Sequence, residues 1–226
     1  GTEALANRLK NPDLKEKIID GMKEILLKDE TGDDFSLIQF NDLFSAPEFN
    51  GKTLEDYMLA KGYPNTLDGG IEAIIDLELA GGFLAIYHEM DEQDIINILK
   101  HPESMIETDG DLINPNSNIF PHPRSYGSFP RVLSKYVREL KILTLEQAIQ
   151  KMTSMTAMQI RQDDLGKIVS GAYADLIVFD EDEIEDQATY TNSKVFSKGI
   201  EYMLINGKFV ISKGELTNKT PGRWIK

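Results

Sequence analysis

Apolar residues recur along this chain with two different periods, and the change from one to the other marks out its elements. Ala4, Leu5 and Leu9 fit a short helix that Asn11-Pro12-Asp13 breaks, and Leu14, Ile18, Ile19, Met22, Ile25 and Leu26 keep helical spacing through Leu27. After the turn Thr31-Gly32-Asp33-Asp34, the run from Phe35 to Phe40 is short, apolar and partly branched, the signature of a buried strand. Asn41 to Lys52, with Pro47 and Gly51, reads as a loop. Two helices follow, Thr53 to Ala60 and Asn65 to Leu79, the second turning Ile71, Ile74, Ile75 and Leu79 inward before Gly81-Gly82 ends it. Phe83 to Tyr87 is a second strand, and Asp91 caps a helix with Ile95, Ile98 and Leu99 on its apolar face. His101-Pro102 stops that helix, and Ser104, Met105 and Ile106 open a third expected strand over 104–108 that delivers Asp109. Strands alternating with helices predict an α/β fold with parallel strands and helical crossovers.

Ser128 and Pro130 begin a further helix, with Val132, Leu133, Tyr136 and Val137 inward, and Thr144 with Gln147 forms a capping box for another. From Leu165 the pattern shortens into β runs at 166–169, 174–179, 202–205 and 209–211, and Asn206-Gly207 between the last two is a hairpin turn signal. The expected organisation is therefore an α/β part, residues 1–160, and a small β part, residues 161–226. A closed eight-stranded α/β barrel takes roughly 250 residues. If the first part is barrel, it is a piece of one.

The sequence has 226 residues, 41% of them hydrophobic, enough for a real core. Its net charge of −14, from 24 basic against 38 acidic residues, argues against nucleic acid or an anionic membrane as partner, since both need a basic face. Small molecules or proteins are the expected partners. There is no cysteine to supply a disulfide, a thiolate nucleophile or a thiolate ligand. No apolar run approaches a membrane span, and the opening GTEALANRLK has no signal-peptide core, so a cytoplasmic chain is expected. The first residue is Gly rather than Met, which suggests a truncated start.

The stretch from Ile106 to Leu133 holds the candidate chemistry. A strand ending in an acid, Asp109, followed by a polar loop with His122, Pro123 and Arg124, is how α/β enzymes build sites at the C-terminal ends of their strands. Each residue also has a plainer reading. Asp109 before Gly110 fits a turn former, Arg124 fits a surface ion pair, and Tyr87 at the end of its strand fits the core. His122 reads as a structural residue bonding loop backbone, and His101 as a helix-end residue. The acidic run from Asp180 to Asp186 reads as a solvated face.

Several motifs together carry a family resemblance. They are the helix start Met90-Asp91-Glu92-Gln93-Asp94-Ile95, His101-Pro102, Thr108-Asp109-Gly110, HPRSYGSFPRVLSKYVRE from His122 to Glu139, LTLEQAIQKMTSM, GKIVSGAYADLIVFD, IEDQATY, GIEYMLINGKFV and the terminal PGRWIK. In order and spacing these resemble the C-terminal portion of the N-acyl-D-amino-acid deacylases, or D-aminoacylases, of the amidohydrolase superfamily. The resemblance implies the C-terminal part of a metal-dependent amidohydrolase (β/α) barrel plus a small β-sandwich segment. It also implies a zinc-dependent enzyme cleaving the amide of N-acyl-D-amino acids to a carboxylate and a D-amino acid. Asp109 then falls where the family places the acid that contacts the metal and acts as general base. Arg124 resembles the arginine holding the substrate α-carboxylate, and Tyr87 a substrate-pocket tyrosine. The family's His-x-His pair, Cys ligand and two later His ligands lie upstream of the matched region. This chain has only His88, His101 and His122, so it is expected to hold no stoichiometric zinc alone, to need the missing N-terminal part of the same protein, and to self-associate. Two other readings stay open: another amidohydrolase (deacetylase, dihydroorotase-like or deaminase), or a non-catalytic amidohydrolase-like domain.

Overall fold

The structure, a computed structural model, describes residues 1–29 and 31–224. Glu30, the side chain of Asp29, and Ile225 and Lys226 at the end of the PGRWIK motif lie outside the described residues. The fold is mixed α/β and divides into two compact units. One comprises Gly1–Met90 with Ile113–His122, the other Asp91–Leu112 with Pro123–Lys226.

The first unit opens with helices α1 (Thr2–Leu9) and α2 (Pro12–Asp29), as the periodicity indicates. Strand β1 runs Ile38–Leu43, starting three residues later than expected, because Asp34 folds Phe35–Leu37 into a 3-10 turn. Its carboxylate accepts from the backbone N–H of Ser36 at 3.1 Å and from the Ser36 hydroxyl. Helices α3 (Leu54–Lys61) and α4 (Leu67–Leu79) then lead to β2 (Phe83–Tyr87). Thr53 and Asp56 form a reciprocal capping box, and Thr66 caps α4.

The expected parallel pairing is not what forms. β1 and β2 are antiparallel, with Ile38 opposite Tyr87 and Leu43 opposite Phe83. The reason lies in the crossover. One helix between two strands returns the chain to the end at which the first strand began, whereas two successive helices bring it back to the end at which that strand finished. Around this pair sits a core of Phe35, Ile38, Phe40, Leu43, Leu54, Met58, Ile71 and Leu77. The Phe40 ring meets Tyr57 and Phe83 edge-on at 6.0 and 5.4 Å.

In the second unit α5 (Glu92–Lys100) is capped by Asp91 as read from the sequence. The expected strand over 104–108 is absent: residues 104–113 run without regular structure. The backbone N–H of Ile106 finds its acceptor in the Lys151 carbonyl, 3.2 Å away, rather than in a sheet. Helix α6 (Arg124–Arg131) begins four residues before Ser128, where the sequence placed its start, and continues into a π-helix, Val132–Glu139. It tolerates Pro130 because the Tyr126 carbonyl, which a proline nitrogen cannot serve, accepts the Ser197 hydroxyl at 2.9 Å.

Helices α7 (Leu145–Met152) and α8 (Ser154–Gln159) follow, α7 with the expected Thr144/Gln147 capping box. Ile106, Val132, Leu133, Leu143, Ala148 and Ile184 form the core of this unit. The expected β run at 166–169 is a turn region instead. Gly166 takes φ +70° with its α-carbon against the Thr153 backbone, and Ile168 and Val169 face solvent. A single antiparallel sheet follows, in the order β3 (Leu176–Phe179), β4 (Ile200–Ile205), β5 (Lys208–Ser212) and β6 (Glu215–Leu216). Asn206 and Gly207, at φ +50° and +70°, make the β4–β5 turn that their sequence signals. Among the described residues no helix is long and apolar enough to cross a membrane.

Two glycines test the packing of the first unit. A Cβ on Gly70 would run into the Phe35 ring, whereas one on Gly21, inside α2, would meet nothing within 4 Å. Gly70→Ala is therefore expected to destabilise by about 1–3 kcal/mol. Gly21→Ala should stabilise by roughly 0.5–1 kcal/mol through helix propensity. Urea unfolding midpoints check both, and a Gly70→Ala protein as stable as the parent would show that the ring yields freely.

Candidate active site around Asp109 and Arg124

Arg124 is the first residue of α6, and the segment bearing Asp109 is tied to that helix by short polar side chains. The Thr108 hydroxyl lies 3.2 Å from the Arg124 carbonyl and 2.9 Å from the Ser128 hydroxyl, and it accepts the Gly110 N–H at 3.1 Å. At the next residue the Asp111 N–H donates to the Ser125 hydroxyl at 3.2 Å. Gly110 is needed for this approach, since a Cβ there would come within 2.8 Å of the Ser125 α-carbon and 2.9 Å of the Arg124 carbonyl. The result is a direct ion pair, Arg124 Nη2 to Asp109 Oδ2 at 2.5 Å. The two side chains are 43% and 77% exposed, so the pair stands open to a ligand. An ion pair so exposed is weakly held and exchanges readily.

Behind α6 lies a second set of charges that the sequence did not reveal. Arg131 donates to Asp186 at 3.0 Å, and the buried Ser134 hydroxyl donates to the other oxygen of Asp186 at 3.0 Å. Asp186 therefore departs from the solvated face expected of its acidic run: its side chain is only 12% exposed and packs against Gly127. On the π-helix, Lys135 pairs with Glu92 at 2.7 Å. Burial, reinforced by its hydrogen bond to Glu92, pushes the Tyr136 phenol up to about 12. The Lys135 ammonium beside Glu92 holds that carboxyl below the usual range. Tyr190, within the field of both Arg131 and Arg124, is pushed up by burial and drawn down by the two cations. A π-helix carrying this network is a costly feature of the kind found near functional sites.

The other sequence-derived candidates are placed elsewhere. Tyr87 belongs to the first unit, where it lines a small apolar hollow of about 150 Å³ with Met22, Ile25 and Ile38. His88 contacts the Gln39 amide oxygen at 3.2 Å, and His122 is half-buried, also in the first unit. His101 ends α5, as expected. An open hollow of about 490 Å³ in the second unit is lined by Leu133, Val137, Phe179 and Ile184 and includes neither Asp109 nor Arg124.

The arrangement can do two things chemically. A guanidinium at a helix start, already holding one carboxylate, can hold another, and a carboxylate beside it can take up or deliver a proton. Among the described residues no three His, Asp or Glu side chains converge, and a tetrahedral zinc site needs three or four ligands.

Comparison with known proteins agrees with the motifs. The amidohydrolase family model matches residues 95–211, and the chain belongs to that family. It is 42% identical over 142 residues to the N-acyl-D-glutamate deacylase of Alcaligenes xylosoxydans xylosoxydans, covering 63% of this chain and 28% of that protein. It is 35% identical over 177 residues to the D-aminoacylase of the same organism, covering 78% of this chain and 34% of that one. Among solved structures, the N-acyl-D-glutamate deacylase of Bordetella bronchiseptica, crystallised with zinc and a phosphonate mimic of the tetrahedral intermediate, superposes with TM-score 0.68 at 35% identity. That match covers 78% of this chain and 35% of the other. The resemblance to the deacylases read from the motifs is thus borne out, and the chain spans about a third of the length of these relatives.

The Tyr136 phenol gives the network a pH signature. Its folded value lies above the ordinary 10.0, so its contribution to stability is complete below pH 10 and fades as pH climbs toward 12. Tyr136→Phe should remove that fade, making unfolding free energy fall less steeply with pH across this window. Urea titrations at several pH values measure the slope, and an unchanged slope would place the phenol in solvent.

Proposed function

We propose that this chain is the C-terminal portion of an N-acyl-D-amino-acid deacylase and supplies two of its working side chains, Asp109 and Arg124. The observation that supports this most directly is the ion pair itself: Arg124 presents its guanidinium, accessible to ligand, in a geometry that grips a carboxylate. The product amino acid and its N-acyl precursor both carry an α-carboxylate. In this reading that group takes the place of Asp109 on the guanidinium fork, and Asp109 is released for chemistry. Water attacks the amide carbonyl, Asp109 accepts the proton that the water sheds, and the same proton passes to the nitrogen as the C–N bond breaks. The products are a carboxylate and a free D-amino acid.

The zinc of the relatives enters through residues this chain does not contain, apart from the one carboxylate we assign to it, Asp109. In the whole protein, residues 1–160 belong to the C-terminal part of the barrel, with a helical insertion, and residues 161–226 to a small β-sandwich segment. The partner that completes the site is the remainder of the same protein. A net charge of −14 favours this small-molecule role over nucleic acid or an anionic membrane.

Kinetics of the whole protein separate the two roles. Asp109→Ala should lower kcat by roughly 10²–10⁴-fold with KM much less affected. Arg124→Ala should act on KM, or on both constants if the grip also aligns the amide, and Arg124→Lys should restore only part, because an ammonium cannot form the bidentate fork. On an amide lacking the α-carboxylate, Arg124→Ala should cost little while Asp109→Ala remains disabled. Equal losses from Arg124→Ala on both substrates would make Arg124 structural, and an active Asp109→Ala would remove its catalytic assignment.

A further inference from the structure

Lys151 lies on α7 with its side chain buried, 5% exposed, and no carboxylate pairs with it among the described residues. Its ammonium instead donates to three neutral oxygens: the His101 carbonyl at 2.5 Å, the Ser104 carbonyl at 2.9 Å and the Ser104 hydroxyl at 2.9 Å. The Ser104 hydroxyl in turn donates to the His101 carbonyl at 2.9 Å, closing a small ring around the cation. The three ammonium donors match this cradle in number. The backbone of Lys151 holds the same segment again, its carbonyl accepting from Ile106. Burying a lysine without an acid is costly, and burial pushes its ammonium below the ordinary lysine value.

We propose that Lys151 is a positioning residue for Asp109, a role that rests on the deacylase reading above. The 101–106 segment has no sheet to fix it. Lys151 anchors its start, and the Thr108 hydroxyl ties its end to α6. Asp109 lies one residue beyond that second anchor. Arg124 is held independently by α6, so loss of Lys151 displaces the acid from the arginine rather than moving both.

The chain has no cysteine, which allows a clean chemical test. Lys151→Cys, alkylated while unfolded and then refolded, can be given an aminoethyl group or a propyl group, two side chains of nearly equal length that differ in the ammonium. Amide hydrogen exchange on the intact chain is the first readout. The propyl form should exchange faster at Ile106 and Gly110 by roughly tenfold, the factor a hydrogen bond to a charged group is worth, with the α7 amide of Ala148 little changed. The aminoethyl form should restore protection. Uniform loss of protection, or a propyl form that fails to fold while the aminoethyl form folds, would make Lys151 a general stabiliser and overturn the proposal. So would unchanged exchange at Ile106 and Gly110.

In the whole protein, Lys151→Met should lower kcat by about 10–10²-fold, the cost of a displaced reacting group, with KM nearly constant and partial recovery in Lys151→Arg. A change in KM alone would contradict the assignment. If the unsubstituted whole protein cleaves no N-acyl-D-amino acid, the deacylase reading fails, while hydrogen exchange still decides whether Lys151 pins the segment.

Discussion

A backbone that lies outside any sheet must be held by side chains, and in the second unit that constraint falls on the residues leading to Asp109. Their polar groups are met by the Lys151 ammonium, the Lys151 carbonyl, the Thr108 hydroxyl and the Ser125 hydroxyl. Each of these partners is fixed by a helix or by a neighbour on one. α7 therefore controls where the segment begins, and α6 controls where it ends. The Asp109–Arg124 pair is the product of that double anchorage rather than a strong interaction in its own right, since both groups stand in water.

The same logic explains the long helical stretch after Arg124. Pro130 would ordinarily leave a carbonyl without a donor, and the Ser197 hydroxyl, from beyond β3, fills the gap. The π-helix that follows turns Ser134 and Tyr136 inward, where Asp186 and Glu92 satisfy them. The loop between β3 and β4 thus stabilises the helix that carries Arg124. A buried polar network of this kind fixes geometry as long as all its members are paired.

Much of this was legible in the sequence, for reasons that differ by element. Asp91, Thr53 and Thr144 announce helix starts because a capping side chain is a local device. Asn206-Gly207 announces its hairpin because both residues tolerate positive φ. The direction of β1–β2 pairing was not legible from the apolar runs, which carry no orientation. The two helices between them held that information and were both visible. The third strand was misread because Met105 and Ile106 have strand-like character, while the partner that would make them a strand is not among the described residues. Asp109 and Arg124 could be named from motifs, and the structure brings them together. Lys151 and Asp186 could not. A lysine three residues after the buried Ala148 and an acid at the end of a charged run both look solvent-facing until their partners, far along the chain, are known.

The central claim is that this chain carries the acid and the arginine of a deacylase site but not the ligands that hold its metal. Zinc titration calorimetry on the chain, followed by elemental analysis after dialysis, tests it most directly. The account predicts no stoichiometric zinc on the chain alone and tight zinc in the whole protein, because one carboxylate cannot supply a three- or four-ligand site. One tightly held zinc per chain, lost on replacing Asp109, would contradict it.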